Sequence, residues 1–195
     1  RVRQIEWNLE RWRWLPKPTP SRYLEVNIPD FTLKLVDNGQ PVMEMAVIVG
    51  TEIRKTPVFF GTMTYLELSP YWSVPPTILR EDKLPLIRKN PGWLAQKHFE
   101  IVSWNNSGAI IDPAGIDWSS VTANNFPGML RQKPGPWNPL GRVKFMFPNH
   151  LAVYLHDTSE RHLFKKRVRL FSSGCIRIER PFDLAFYLLE PQGWT

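Results

Sequence analysis

Nineteen prolines in a chain of 195 residues leave few uninterrupted stretches for long helices. Between the prolines lie short apolar runs, several with a period of two. Leu24, Val26 and Ile28 alternate with Tyr23, Glu25 and Asn27, and Phe31, Leu33 and Leu35 resume the alternation after Pro29-Asp30. Asp37-Asn38-Gly39 supplies residues that tolerate the positive φ of a tight hairpin, so the chain opens as a β-meander. Val42 to Val49 is the return strand, and its near-continuous apolar character predicts burial on both faces. The fold class is mainly β, with short helices and long shaped loops.

The remaining elements follow the same logic. Val2, Ile5, Leu9 and Trp12 recur at helical steps, so residues 2 to 15 are predicted to form an amphipathic helix on the outside of the domain. Pro16, Pro18 and Pro20 end that helix as a stiff connector. Gly50 to Gly61 reads as a loop and Thr62 to Leu68 as a strand. Residues 69 to about 141 change in texture and read as a subdomain inserted between strands of the main sheet. There Tyr71 to Thr77 is barred from a central strand by Pro75-Pro76. Residues 78 to 98 read as helical pieces broken at Pro85 and Pro91-Gly92. Phe99 to Trp104 and Ala109 to Asp112 form a hairpin around Asn105-Asn106-Ser107-Gly108, and Phe126 to Leu140 is irregular. Strands are expected at Val143 to Phe147 and Leu151 to His156, and a closing helix at Pro181 to Leu189. Such a long irregular segment in a compact domain is commonly a lid or binding loop.

The length fits one domain with an elaborated insertion, large enough to build a core without a metal or disulfide staple. The net charge of +7 attracts polyanions. The basic residues are scattered apart from Arg161 to Arg169, and no nucleic-acid motif accompanies them, which disfavours nucleic acid as a partner. A polymer or peptide bearing carboxylates fits equally well. No run is long and apolar enough to span a bilayer. The chain begins at Arg1 and is expected to be a piece of a longer protein.

Cys175 is the only cysteine, so an intrachain disulfide is excluded and the thiol is either buried filler or reactive. Its surroundings favour reactivity. His156 and Tyr154 lie two apart on a predicted strand and so share a face. The loop from Asp157 to Leu170 brings Ser172-Ser173-Gly174-Cys175-Ile176-Arg177 back toward that face. A neighbouring histidine takes the thiol proton and, as imidazolium, stabilises the thiolate. The small residues before Cys175 let the N–H groups of Gly174 and Cys175 turn toward a bound carbonyl and its oxyanion. Taken singly, each residue has a plainer reading: His156 as a satisfied core histidine, Cys175 as a small apolar residue, Arg177 as an ion-pair partner, Tyr154 as core. The ordered set is what points to acyl transfer.

This set, His156-Asp157-Thr158 followed by Ser172-Ser173-Gly174-Cys175-Ile176-Arg177, resembles the signature of L,D-transpeptidases with a YkuD-type catalytic domain. The resemblance extends through Gly50 with Thr56-Pro57, Tyr71 to Thr77, Arg131 to Gly135, Asn138-Pro139-Leu140-Gly141 and Lys144-Phe145. The Tyr71 to Thr77 stretch and the large insertion resemble the YcbB-type subgroup, whose insertion caps the active site. Many members carry a second histidine where this chain has Ser173, so Ser173 more plausibly shapes the loop than acts as a base.

The resemblance implies a sandwich- or barrel-like catalytic domain over residues 21–195, preceded by a lead-in helix and linker over 1–20, with the capping insertion at about 69–141. It implies a periplasmic enzyme, part of a longer exported or membrane-anchored protein, acting on peptidoglycan stem peptides. Cys175 would attack the carbonyl between diaminopimelate and the terminal D-alanine of a donor tetrapeptide, and an acceptor diaminopimelate amine would resolve the thioester into a 3→3 cross-link. His156 would serve as base and acid, the backbone carbonyl of Asp157 would orient it, and the Gly174 N–H would bind the oxyanion. Arg177, Tyr154, Ser173, Asn138 and Trp72 would order the site or bind substrate. Carbapenem β-lactams would be covalent inhibitors. Neither a cofactor nor a metal is expected. The alternatives are a carboxypeptidase or endopeptidase on the same scaffold, with water replacing the acceptor amine, and a non-catalytic wall-binding module. A papain-like protease is disfavoured, because there the cysteine precedes the histidine.

Overall fold

The computed structural model describes residues 1–14, 20–105 and 108–194. The Pro16 and Pro18 part of the expected connector and the Asn106-Ser107 part of the expected hairpin turn lie outside the described residues. The chain divides into two compact units, Arg1–Ala46 and Val47–Thr195.

The first unit holds the helix Val2–Arg13 and a three-stranded antiparallel meander. None of the helix residues is buried. Its strands are β1 (Arg22–Asn27), β2 (Thr32–Asp37) and β3 (Gln40–Gly50), the last passing into the second unit at Val47. Asn38 and Gly39 both take positive φ, 49° and 77°, as a two-residue hairpin requires. The expectation that Val42 to Val49 is buried on both faces holds only for Val47, Ile48 and Val49. Val42 and Glu44 are exposed, so the earlier half of β3 alternates like a one-sided strand.

The second unit contains β4 (Tyr65–Leu68), β5 (Trp72–Ser73), β6 (Phe99–Ser103), β7 (Ile110–Ile111), β8 (Gly128–Gln132), β9 (Val143–Met146), β10 (Leu155–His156), β11 (Leu170–Ser172) and β12 (Ile176–Ile178). Its main sheet runs from the Val47–Gly50 end of β3 through β12, β10 and β9 to β4, with β11 parallel to the end of β3. β10 and β12 are parallel neighbours; the other neighbours on this path are antiparallel. The helix Pro181–Leu189 closes the chain, with Pro181, Leu184 and Ala185 buried.

β4 and β9 pair directly, with Leu68 opposite Val143. Everything between them is an excursion that leaves the sheet and returns to the neighbouring strand. The excursion builds its own antiparallel sheet, in the order β5-β8-β6-β7. Its core includes Trp72, Leu79, Leu84, Ile87, Leu94, Ile101 and Leu130, and Tyr154 packs against it from the main sheet. Burying a Leu or Ile side chain of this kind contributes roughly 1.5–3 kcal/mol.

Three local expectations are corrected. Phe126 to Leu140 is not irregular throughout, because β8 is an interior strand of the second sheet. Its inward positions are Gly128, Leu130 and Gln132, so only one of three is a large apolar residue and the alternation is muted. Pro85 does not break the helical stretch. Leu79–Lys83 forms a wide π-helical turn leading into the helix Leu84–Lys89, and Pro85 falls in the first turn, where an N–H has no helical partner. Leu151 to Val153 does not extend β10. Asn149 Oδ1 takes the amides of Leu151 and Val153, and its Nδ2 donates to the carbonyls of Phe147 and Val153. That local network displaces the strand ladder, with Ala152 at φ 53°.

Candidate active site

The parallel pairing of β10 with β12 puts His156 opposite Arg177, and the Ile176 N–H donates to the Tyr154 carbonyl. Side chains two apart on a strand share a face. Tyr154 and Cys175 directly precede β10 and β12, and the Ile176–Tyr154 bond carries the pairing back to them, so Tyr154, His156, Cys175 and Arg177 share one side. The rings of Tyr154 and His156 meet edge to face with centroids 5.7 Å apart. The Tyr154 amide and phenol hydroxyl both hydrogen-bond the Cys175 sulfur, and the thiol reaches the Ala152 carbonyl at 3.8 Å. Among the described residues no hydrogen bond joins the sulfur to His156.

His156 is buried and its Nδ1 donates to the Asp157 carbonyl at 2.5 Å. A carbonyl only accepts, so Nδ1 carries the proton and Nε2 keeps its lone pair. Burial, then the positive charge of Arg177, pushes the imidazole pKa down to about 3; the Asp157 carbonyl opposes the shift. Burial likewise pushes the Cys175 thiol up, against the Tyr154 hydrogen bonds and the charges of Lys144 and Arg177. The resting pair is thus neutral thiol and neutral imidazole. Burial thus favours the neutral form of each group, whereas the expected thiolate–imidazolium pair requires both to be charged.

The turn carrying the thiol is fixed from outside its own strands. Thr51 N–H donates to the Ser172 carbonyl at 3.1 Å, Arg54 Nη1 donates to Ser173 Oγ at 3.0 Å, and Thr56 Oγ1 donates to the Gly174 carbonyl at 2.8 Å. Three consecutive residues before Cys175 each accept a hydrogen bond from one six-residue loop. That loop needs Gly50, because a Cβ there would sit 2.1 Å from the Arg54 carbonyl oxygen. Gly174 takes φ +116°, a conformation disfavoured for residues with a Cβ.

Residues 21–190 match the YkuD L,D-transpeptidase catalytic domain. The chain belongs to this family of L,D-transpeptidase catalytic domains. A Haemophilus influenzae protein named "Putative L,D-transpeptidase" is 37% identical over 194 residues, which is 100% of this chain and 38% of that relative. The chain thus spans well under half the length of the relative. L,D-transpeptidases act on peptidoglycan, and the sheet-rich architecture with several short helices is consistent with the YkuD fold.

Within this L,D-transpeptidase domain the other expected site residues fall into two groups. Arg177 lies on the shared face and forms an ion pair with Glu160 at 2.5 Å. Ser173 is next to Gly174 in the turn that carries the thiol and is held by Arg54. Trp72 and Asn138 belong elsewhere. Trp72 is 8% exposed in the excursion's core, 6.0 Å from the Phe99 ring. Asn138 is 0% exposed; its Nδ2 donates to the Pro70 and Lys133 carbonyls and its Oδ1 accepts from Leu140 N–H. Both positions serve packing and leave no open face for a ligand. The N–H of Gly174, the expected oxyanion donor, donates to Ser172 Oγ at 3.1 Å in this structure. Among the described residues no intrachain acceptor takes the Cys175 N–H.

Lys144 is the residue that sequence reasoning did not single out. It stands opposite His156 across β9 and β10 and opposite Glu67 across β9 and β4. Its ammonium lies 4.3 Å from the Tyr154 ring centroid and 3.7 Å from Glu67. A row of Glu67, Lys144, His156 and Arg177 therefore crosses four strands, with a cation on each side of the imidazole. The available signal was a lysine alternating with Val143 and Phe145, which marks the face away from those two buried residues. Among the described residues no group of three His, Cys, Asp or Glu side chains is placed to hold a metal.

Proposed function

We propose that the chain is the catalytic part of an enzyme that forms 3→3 cross-links between peptidoglycan stem peptides through a Cys175 thioester. The observation that carries this reading is the shared face of Cys175, Tyr154 and His156, with His156 Nδ1 held by the Asp157 carbonyl. That arrangement leaves Nε2 as the proton acceptor.

In this reading Cys175 Sγ attacks the carbonyl between the donor's diaminopimelate and its terminal D-alanine. The S–H proton passes to His156 Nε2 as the C–S bond forms. A ring whose pKa is depressed to about 3 does not store a proton, so transfer accompanies attack and the proton moves on to the departing D-alanine amine. The Cys175 N–H, unlike that of Gly174, has no hydrogen-bond acceptor among the described residues and takes the oxyanion. An acceptor diaminopimelate amine then attacks the thioester, gives its proton to His156, and restores the thiol. Arg177 and Lys144 supply positive charge beside a substrate rich in carboxylates, while Tyr154 orders the sulfur. The excursion between β4 and β9 caps the site. Peptidoglycan lies outside the cytoplasm, so the reading places the protein in the periplasm as part of a longer exported or anchored chain. Carbapenems, as acyl mimics, would acylate Cys175.

The test is the fate of purified tetrapeptide-bearing muropeptides. Cross-linked dimers with release of D-alanine, absent for Cys175→Ala, support the reading. Shortened tripeptides without dimers would convert it to a hydrolase. A native protein that gives neither product and no carbapenem adduct on Cys175 would point to a wall-binding module.

A further inference from the structure

Arg54 occupies a position that the acyl-transfer reading does not use. Its guanidinium makes a two-pronged contact with Asp82, Nη1 to Oδ2 and Nη2 to Oδ1, both at 2.8 Å. Nη2 also reaches Glu81 Oε2 at 2.8 Å, and Nη1 reaches Ser173 Oγ at 3.0 Å. Asp82 holds the guanidinium charged, and Arg54 in turn holds the Asp82 carboxyl below its usual range. Paired planar groups of this kind fix orientation as well as distance.

The three partners come from two parts of the second unit. Glu81 and Asp82 sit on the π-helical turn Leu79–Lys83 of the excursion. The same turn is anchored inward: Leu79 is in the excursion's core, and the Lys83 ammonium lies 5.4 Å from the Trp72 ring centroid and 5.7 Å from that of Trp93. Ser173 is two residues before the candidate nucleophile. Arg54 itself is fixed from behind, its N–H donating to Thr51 Oγ1 at 3.1 Å. A cavity of about 550 Å³ lies against these groups, lined by Arg54, Glu81, Asp82, Phe171, Ser172 and Ser173.

We propose that Arg54 is a positioning residue that couples the excursion to the nucleophile turn: the Asp82–Arg54–Ser173 chain sets the backbone of Ser173-Gly174-Cys175, and so aims the Cys175 N–H at an acyl oxygen. This rests on Cys175 being an acyl-accepting nucleophile. Because Thr51 and Thr56 hold the flanking carbonyls, loss of Arg54 changes the aim of the turn without releasing it. Arg54 touches no reacting atom in this scheme.

Two reagents separate aim from exposure. Acylation of Cys175 by p-nitrophenyl acetate needs an oxyanion donor, whereas alkylation by iodoacetamide does not. For Arg54→Ala the ratio of acylation to alkylation rate should fall about tenfold, the scale expected for one misaligned charge-assisted contact. Asp82→Asn should lower it in the same direction, Arg54→Lys should restore part of it, and Arg80→Ala, which touches only the outer oxygen of Glu81, should leave it unchanged. An unchanged ratio in Arg54→Ala and Asp82→Asn overturns the proposal while leaving the nucleophile reading intact. If Arg54→Ala does not fold, Asp82→Asn and Ser173→Ala carry the same test. A native protein that is alkylated at Cys175 but never acylated there removes both the nucleophile reading and the coupling that rests on it.

Discussion

Thr56 Oγ1 donates to the Gly174 carbonyl at 2.8 Å and accepts the Gly50 N–H at 2.9 Å. One buried hydroxyl thus ties the end of a core strand to the residue before Cys175. Thr56→Val keeps the shape but leaves a donor and an acceptor unpaired in a dry site, where each costs about 1–3 kcal/mol. We expect a lower urea midpoint and slower acylation of Cys175. Thr56→Ser keeps the hydroxyl and should lose only about 1 kcal/mol for the missing methyl.

The neutral His156 makes stability depend on acid. Its pKa is about 3 in the folded protein against an ordinary value near 6.5. The unfolded chain therefore binds the extra proton first, so stability is complete above about pH 6.5 and falls as pH drops toward 3. At about 1.4 kcal/mol per pH unit, the loss reaches a few kcal/mol by pH 4. Urea midpoints measured between pH 7.5 and 4.5 should fall for the native protein and fall less steeply for His156→Gln.

Lys144 lowers the pKa of both His156 and Cys175 by its charge. Lys144→Met should therefore move the alkylation profile of Cys175 to higher pH. A profile unchanged by this substitution would mean that the ammonium is screened from the sulfur.

Tyr154→Phe removes one donor to the sulfur while keeping the ring against the excursion's core. The thiol should again titrate at higher pH, with little change in melting temperature. Combined with Lys144→Met, the two shifts should not simply add, because the ammonium lies over this same ring.

Gly174→Ala separates backbone strain from crowding. An added Cβ would meet nothing closer than the Lys55 carbonyl oxygen at 3.5 Å, an ordinary contact. The cost lies in φ +116° and is about 1–3 kcal/mol. Gly50→Ala should be worse, since its Cβ would run into backbone that cannot move aside.

The chemistry-bearing stretch was the legible part of the sequence. Small residues around a lone thiol, and a histidine two places from a tyrosine on a strand, are local patterns with a physical reading. The opening meander was legible because Asp37-Asn38-Gly39 punctuates clean alternation. What stayed hidden was set at long range. Arg54 and Asp82 are 28 residues apart, and Arg54 and Ser173 are 119 apart. Lys144 faces His156 only through strand register. The packing of Trp72 and Asn138 was hidden too, because aromatic and amide side chains in a loop-rich stretch look available, and here they fill and staple the excursion's own interior. The burial that shifts the His156 and Cys175 pKa values was also out of reach, because long-range packing creates it.

The exit and return points of the excursion are hydrogen-bonded neighbours: Leu68 faces Val143, and the Ser69 N–H donates to the Arg142 carbonyl at 2.8 Å. Topologically, the whole intervening segment hangs from what is otherwise a β-hairpin. A tight turn grafted between Ser69 and Arg142 would close the main sheet without rethreading any strand. The main sheet and the excursion can therefore diverge separately, one kept while the other is exchanged as a module. The apolar flank of Tyr154 marks where any replacement segment would have to pack.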